Sequence, residues 1–197
     1  LLINPTLPVK NMAEFVAYAK ANPGKLNYAS SGNGSMLQLN MELLKSQYGF
    51  FMTHIPYRVA GTTLTDLMSG QVHAMFTNIQ ASNVGFVKQG KLRALAVASP
   101  IRSSLLPDVP TFGELKQPEL NLTSWTGLAA PAGTPEPIIQ QLYAAMRTVL
   151  QDPATFAAWK QRGSIVPEPV KPEEYKKEIA DRIAFYKKLI KANKLSA

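Results

Sequence analysis

The chain has no cysteine and only two histidines, His54 and His73. The first absence excludes disulfide frameworks, thiol nucleophiles and zinc ribbons. The second leaves little for metal chemistry, since neither histidine has a His, Asp or Glu cluster at ligand spacing; no metal and no cofactor are expected. Both histidines lie in or beside predicted strands and read as structural or surface residues. Long apolar runs are missing as well, and nothing approaches the ~20 residues that span a bilayer. The opening Leu1-Leu2-Ile3-Asn4-Pro5 shows neither a basic region nor a small-residue cleavage site; it reads as the tail of a strand. Acidic residues are few, 13 against 21 basic, giving a net charge of +8. The excess is spread evenly: 10 basic and 6 acidic residues in 1–123, 11 and 7 in 124–197, so +4 in each part. With no polybasic block, nucleic acid is not the expected partner, though a mildly basic surface steers small anions.

What is present belongs to a globular chain: 46% hydrophobic and 17% charged residues over 197 positions, enough for one large domain or two small ones. Strand and helix patterns alternate. Asn11 caps a helix over 12–21, closed by Pro23-Gly24. A strand at 26–29 precedes a helix from about 35 to 47, with Met36, Leu39, Leu43 and Leu44 as its apolar stripe. Phe50 to Pro56 is a second strand, and Thr62 or Thr63 starts a short helix ended by Gly70. Val72 to Thr77 is strand, then helix to Lys88 with Gly90 as its stop. Leu92 to Ala98 is nearly continuously apolar, as in a parallel sheet covered on both faces. This alternation predicts a doubly wound α/β layer. Pro100, Pro107 and Pro110 mark an ordered loop, 122–130 a further strand with Trp125, and Thr134 and Pro135 the cap and first position of a helix to about 150. Helices over 153–162 and 172–193 make the last third mostly helical.

No catalytic constellation stands out. Gly-x-Ser-x-Gly is absent, no acid or base has a claim on Ser30, Ser31 or Ser35, and paired carboxylates are not evident. Gly32-Asn33-Gly34 lacks both the Gly-Lys-Ser/Thr ending of a P-loop and a full dinucleotide fingerprint. Polar loops after successive strands remain, and in an open α/β sheet these line the ligand crevice. The loop Ser30, Ser31, Gly32, Asn33, Gly34, Ser35 runs into a helix whose first N–H groups suit a carboxylate or phosphate, or is an ordinary strand-to-helix turn. The second loop brings Tyr57, Arg58 and Thr62; Arg58 pairs with a carboxylate or is a surface arginine. In the third, Thr77 and Asn78 bind ligand oxygens or cap a helix.

Several motifs in order carry a resemblance: Asn27-Tyr-Ala-Ser-Ser-Gly-Asn-Gly-Ser35, His54-Ile-Pro-Tyr-Arg58, Asp66-Leu-Met-Ser-Gly-Gln-Val72 and Gly90-Lys-Leu-Arg-Ala-Leu-Ala-Val97. Arg102-Ser-Ser-Leu-Leu-Pro-Asp-Val-Pro-Thr111, Ser124-Trp-Thr-Gly-Leu128 and Ala130-Pro-Ala-Gly-Thr-Pro135 continue it. The chain resembles the tripartite tricarboxylate transporter receptors, periplasmic solute-binding proteins also called the Bug family. That resemblance implies an α/β, periplasmic-binding-protein-like fold of type II, a Venus flytrap that closes on a carboxylate-bearing solute. It implies delivery of that solute to membrane permease subunits, a periplasmic location and no catalysis. Against the family pattern, a signal peptide and a first βα segment are missing. The chain is then expected to hold one complete ligand-binding domain, 1–123, and an incomplete second one. Residues 124–197 supply the hinge strand and helical return of that second domain, which exposes apolar surface and packs on itself, rearranges, or forms a dimer or swapped assembly. Arg58-Val59-Ala60-Gly61 replaces the usual Gly-rich loop after Pro-Tyr-Lys, and Gln38 stands where many members have His. Two other classes share these features: the effector-sensing domain of a LysR-type regulator and a small α/β enzyme acting on a carboxylated substrate.

Overall fold

The computed structural model describes residues 1–58, 60–122, 127–163 and 170–192, with the backbone alone at 60 and 61. The chain divides into two compact units, Leu1–Ser124 with Leu189–Ala197, and Trp125–Lys188.

The first unit is built on a five-stranded sheet of order β3-β2-β4-β1-β5, where β1 is Leu2–Ile3, β2 Asn27–Ser30, β3 Thr53–Pro56, β4 Ala74–Met75 and β5 Arg93–Ala94. β2 runs parallel to β3 and β4, whereas β1 is antiparallel to β4 and β5. The expected alternation is present, but the sheet is mixed rather than uniformly parallel. The apolar run Leu92 to Ala98 shows why: only Arg93 and Ala94 form a strand, beside antiparallel β1, while Val97 makes an isolated bridge to Thr111. Leu92, Leu95, Ala96 and Val97 are nevertheless buried, so the run reports burial, which hydrophobicity records, and not strand direction.

Helix ends follow their capping residues. In α1, Met12–Ala21, Asn11 Oδ1 accepts from the Glu14 N–H at 2.9 Å while Glu14 accepts from the Lys10 N–H at 2.7 Å. Two otherwise orphaned donors are thereby satisfied. α2, Met36–Tyr48, starts at the Ser35 cap and stops at Gly49, whose φ of 65° is the left-handed conformation that favours glycine. α3, Ala60–Ser69, begins two residues before the expected Thr62, and α4, Ala81–Lys88, takes Gln80 as its N-cap. Leu2, Ala29, Leu67, Val72, Met75 and Leu92 pack as a core cluster. Buried Asn4 ties β1 to the end of α3: its Nδ2 donates to Leu67 O at 2.6 Å and Met68 O at 3.1 Å, and its Oδ1 accepts from Thr6 N at 2.8 Å. The proline-rich segment is an ordered loop, as expected. Arg102 holds it by donating from Nε to Glu114 at 2.9 Å and from Nη1 to Pro107 O at 2.8 Å.

The second unit contains α5, Glu136–Gln151, α6, Pro153–Gln161, and most of α7, Pro172–Ala192. α5 starts one residue later than expected: Pro135 is its N-cap, and Thr134 donates to Pro131 O at 2.8 Å instead of capping. Asp152 caps α6 by accepting from the Thr155 N–H at 2.8 Å. Of the expected strand at 122–130, residues 127–130 are not in a strand and 123–126 lie outside the described residues. Ile138, Leu142 and Val149 on α5, with Phe156 and Trp159 on α6, are exposed. Among the described residues, no helix is long and apolar enough to cross a membrane.

Candidate functional site

Because β2, β3 and β4 are parallel neighbours, their C-terminal ends lie on one edge of the sheet. The loops after Ser30, Pro56 and Met75 therefore emerge together, and the candidate residues lie in these loops or at the ends of the elements that flank them. The first two are in direct register: Tyr57 N–H donates to Ser30 O at 2.9 Å, and the Tyr57 carbonyl lies 4.0 Å from where a Cβ on Gly32 would stand.

Within the first loop the amides divide into two groups. Gly32 N–H donates to Ser30 Oγ at 3.1 Å, Gly34 N–H to Gln38 Oε1 at 2.7 Å, and Ser35 N–H to Gly32 O at 3.3 Å. Ser35 Oγ accepts from Gln38 N–H at 3.3 Å. The amides of Gly32, Gly34 and Ser35 thus hold the loop in shape and are not free to meet an anion. Among the described residues, the amides of Ser31, Asn33, Met36 and Leu37 have no partner. These open donors sit at the N-terminal end of a 13-residue helix with no acidic side chain in its first turn, where the dipole is positive. Gly32 and Gly34 take φ of 120° and 74°, which makes the bend available to this backbone. Ser31, Asn33 and Gly34 are exposed.

Ser30 plays a different part from its loop neighbours. It is fully buried, and its Oγ donates to Gly32 O at 3.1 Å and bonds His54 Nε2 at 2.6 Å. In the second loop, Tyr57 is half-buried and donates its hydroxyl to Asp66 Oδ2 at 2.7 Å. Burial, and then the Asp66 bond and charge, push the phenol up to about 12. Arg58 is exposed and makes no ion pair or hydrogen bond among the described residues. Thr62 is inside the first turn of α3 rather than at its cap, and is exposed. In the third loop neither Thr77 nor Asn78 is a helix cap. Asn83 Nδ2 donates to Thr77 Oγ1 at 3.3 Å and to Asn78 O at 3.0 Å, which braces this loop from α4.

Sequence reasoning gave His54 no site role and noted Gln38 only as a departure that shifts ligand preference; both connect the first loop to the sheet. His54 stacks on Tyr28 with ring centroids 4.9 Å apart at 22°. Gln38 Nε2 lies 3.1 Å from His54 Nδ1. Beneath them, the Tyr28 hydroxyl donates to buried Glu42, which also accepts from Lys45 Nζ at 2.7 and 2.9 Å. Desolvation holds His54 below the ordinary imidazole range, with Glu42 opposing and Lys45 reinforcing the shift. The signal for both residues was present: a polar residue on the inner face of an apolar helix, and a histidine in register with Tyr28 on the next strand. Among the described residues, no group of three His, Asp or Glu side chains could hold a metal ion.

Comparison with known proteins gives consistent matches. The model of the tripartite tricarboxylate transporter family receptor matches residues 1–195. A UPF0065 protein from the gbd 5′ region of Cupriavidus necator is 39% identical over 153 residues, 78% of this chain and 46% of that protein. Among solved structures, R. palustris Rpa4515 with adipate superimposes with a TM-score of 0.86 at 30% identity, covering 100% of this chain and 65% of the other. MatC (Rpa3494) from Rhodopseudomonas palustris with bound malate gives 0.82 at 31% identity, covering 96% and 65%. The chain spans about half the length of the curated relatives it matches.

Proposed function

Since the chain belongs to the tripartite tricarboxylate transporter family of receptors, we propose that it takes part in capturing a small carboxylate in the periplasm for that transporter's membrane permease subunits. The family is one of binding receptors and not of enzymes, with a periplasmic-binding-protein fold. Membership therefore replaces the two rival readings, a LysR-type effector domain and an α/β enzyme.

One observation carries the ligand class: amides at the N-terminal end of α2 that have no partner among the described residues, with exposed Arg58 on the same sheet edge. The amides of Ser31, Asn33, Met36 and Leu37 hold one carboxylate, and Arg58 pairs with it or with a second one. Tyr57, Thr62, Thr77 and Asn78 orient the rest of the molecule, while Ser30, Gly32, Gly34 and Ser35 shape the loop. A di- or tricarboxylate or an aromatic acid fits such a site, with water bridging a distal carboxylate. Adipate and malate, the acids bound by the two relatives, are the first to try. In this reading 1–123 is the ligand-binding domain and 124–197 the return into a second domain. Exposed Ile138, Leu142 and Val149 support a dimer or swapped assembly when nothing else covers that surface.

The test is a nuclear magnetic resonance titration of this chain with adipate, malate, citrate and benzoate, against glucose and spermidine. At least one acid should shift the Asn33, Met36 and Leu37 amides saturably, and Arg58→Gln should weaken it about tenfold. Saturable binding of glucose or spermidine with none of the acids refutes the proposal.

A further inference from the structure

The bonds around the first loop close into a circuit that permits one arrangement of protons. A backbone N–H can only donate, so the Gln38 atom 2.7 Å from Gly34 N must be the amide oxygen. The Gln38 NH2 group then faces His54 Nδ1 at 3.1 Å, which makes Nδ1 an acceptor. The imidazole proton consequently sits on Nε2 and is donated to Ser30 Oγ at 2.6 Å. Ser30 Oγ also accepts from Gly32 N–H and donates to Gly32 O, both at 3.1 Å. One neutral imidazole thus braces both glycines of the loop, through α2 on one side and β2 on the other.

We infer that His54 is a positioning residue for the anion-binding loop, and that its neutral form keeps the loop's open amides in place while a second proton releases Gly34. The consequence for ligand rests on the carboxylate reading above; the coupling itself does not. Protonated Nδ1 sets an N–H against the Gln38 NH2 group, donor against donor. Gln38 must turn, and its oxygen leaves Gly34. The charged groups facing the ring are Glu42 and Lys45 from α2, with the Tyr28 ring stacked from β2. Burial disfavours the added proton most, Glu42 favours it and Lys45 opposes it.

The experiment follows the ligand-free chain by nuclear magnetic resonance from pH 8 to pH 5. The Gly34 amide and Gln38 side-chain NH2 signals should move with the midpoint of the His54 ring, and Gly34 exchange protection should fall about fivefold. His54→Gln keeps one donor and one acceptor but cannot titrate; it should retain Gly34 protection and abolish its pH dependence. Gln38→Met should uncouple Gly34 from His54 while the ring still titrates. A Gly34 signal indifferent to His54 protonation in the unmodified chain overturns the inference, as does one that still follows the ring in Gln38→Met. Adipate binding is then measured at both ends of the range. An affinity that falls more steeply in acid than that of His54→Gln supports the link to capture, and equal profiles for the two proteins refute it. A chain that shows the coupling and binds none of the acids refutes only the carboxylate reading.

Discussion

Replacing Lys45 by methionine should damage the first unit more than replacing its partner Glu42 by glutamine, although the two sit in one ion pair at 2.7 Å with side chains only 12% and 9% exposed. The asymmetry follows from what each group can do alone. Lys45 carries a four-carbon stem, lies 5.4 Å from the ring centroids of both Tyr28 and exposed Phe51, and can swing its ammonium to water. Glu42 is pinned under Tyr28, whose hydroxyl donates to it, and has no such route. Without Lys45 a buried carboxylate is left uncompensated, a loss of about 3 kcal/mol or more. Glu42→Gln keeps an acceptor for Tyr28 and frees a lysine able to reach solvent, so about 1–2 kcal/mol is expected. The double substitution should cost clearly less than the sum of the singles, by roughly 1–3 kcal/mol, because it strands no charge. Native-state amide exchange of Tyr28 and Ala29 in β2 reads these differences in the unit concerned. A Glu42→Gln loss equal to or larger than that of Lys45→Met, or strict additivity in the double variant, refutes the reasoning.

Asn4→Leu removes the ties to Leu67 O and Met68 O at the end of α3 and should cost about 2–4 kcal/mol, measured by the same exchange experiment at Val72 and Ala74. His54 and His73 are both held below the ordinary imidazole value of 6.5 by burial, so the unfolded chain takes up protons first. Stability is therefore full above that value and declines as pH falls through the lowered native values; thermal unfolding at pH 8 and pH 5 should show a lower midpoint in acid, with less decline in His54→Gln. Gly32→Ala forces an L residue to a φ of 120° and should cost about 1–3 kcal/mol, whereas Gly34→Asn, at 74°, should cost under about 1 kcal/mol; denaturant midpoints of the two variants decide.

Much of the fold was legible because local signals and burial agreed. The helix over 12–21 was bounded to the residue, since Asn11, Glu14 and Pro23-Gly24 mark both ends chemically. The strand before the glycine loop and the helices ending near Gly49, Gly70 and Gly90 were placed within a residue or two for the same reason. The direction of β1 was not legible. β1 is two residues long and pairs antiparallel with β4 and β5, and no feature of Leu2-Ile3 announces its partners. The helix beginning at Ala60 rather than Thr62 shows the complementary failure: a threonine able to cap attracts the assignment, while alanine, the best helix former, extends the turn.

The shared edge of the three candidate loops was legible, and the state of their individual donors was not. That three loops share an edge follows from parallel β2, β3 and β4, which the alternation of strands and helices already implied. Which amides stay open does not follow, because it depends on a side chain four residues into the next helix. Gln38 takes the Gly34 N–H, Ser30 takes that of Gly32, and only then are Ser31, Asn33, Met36 and Leu37 the donors without a partner among the described residues. A bend with all its amides free would have to hold two positive-φ glycines against thermal motion with no internal bond, and would lose that conformational freedom on every binding event. Spending some donors on the shape of the loop lets the others keep one direction. Under the carboxylate reading proposed above, the residue at 38 therefore acts on ligand preference through the shape of the loop.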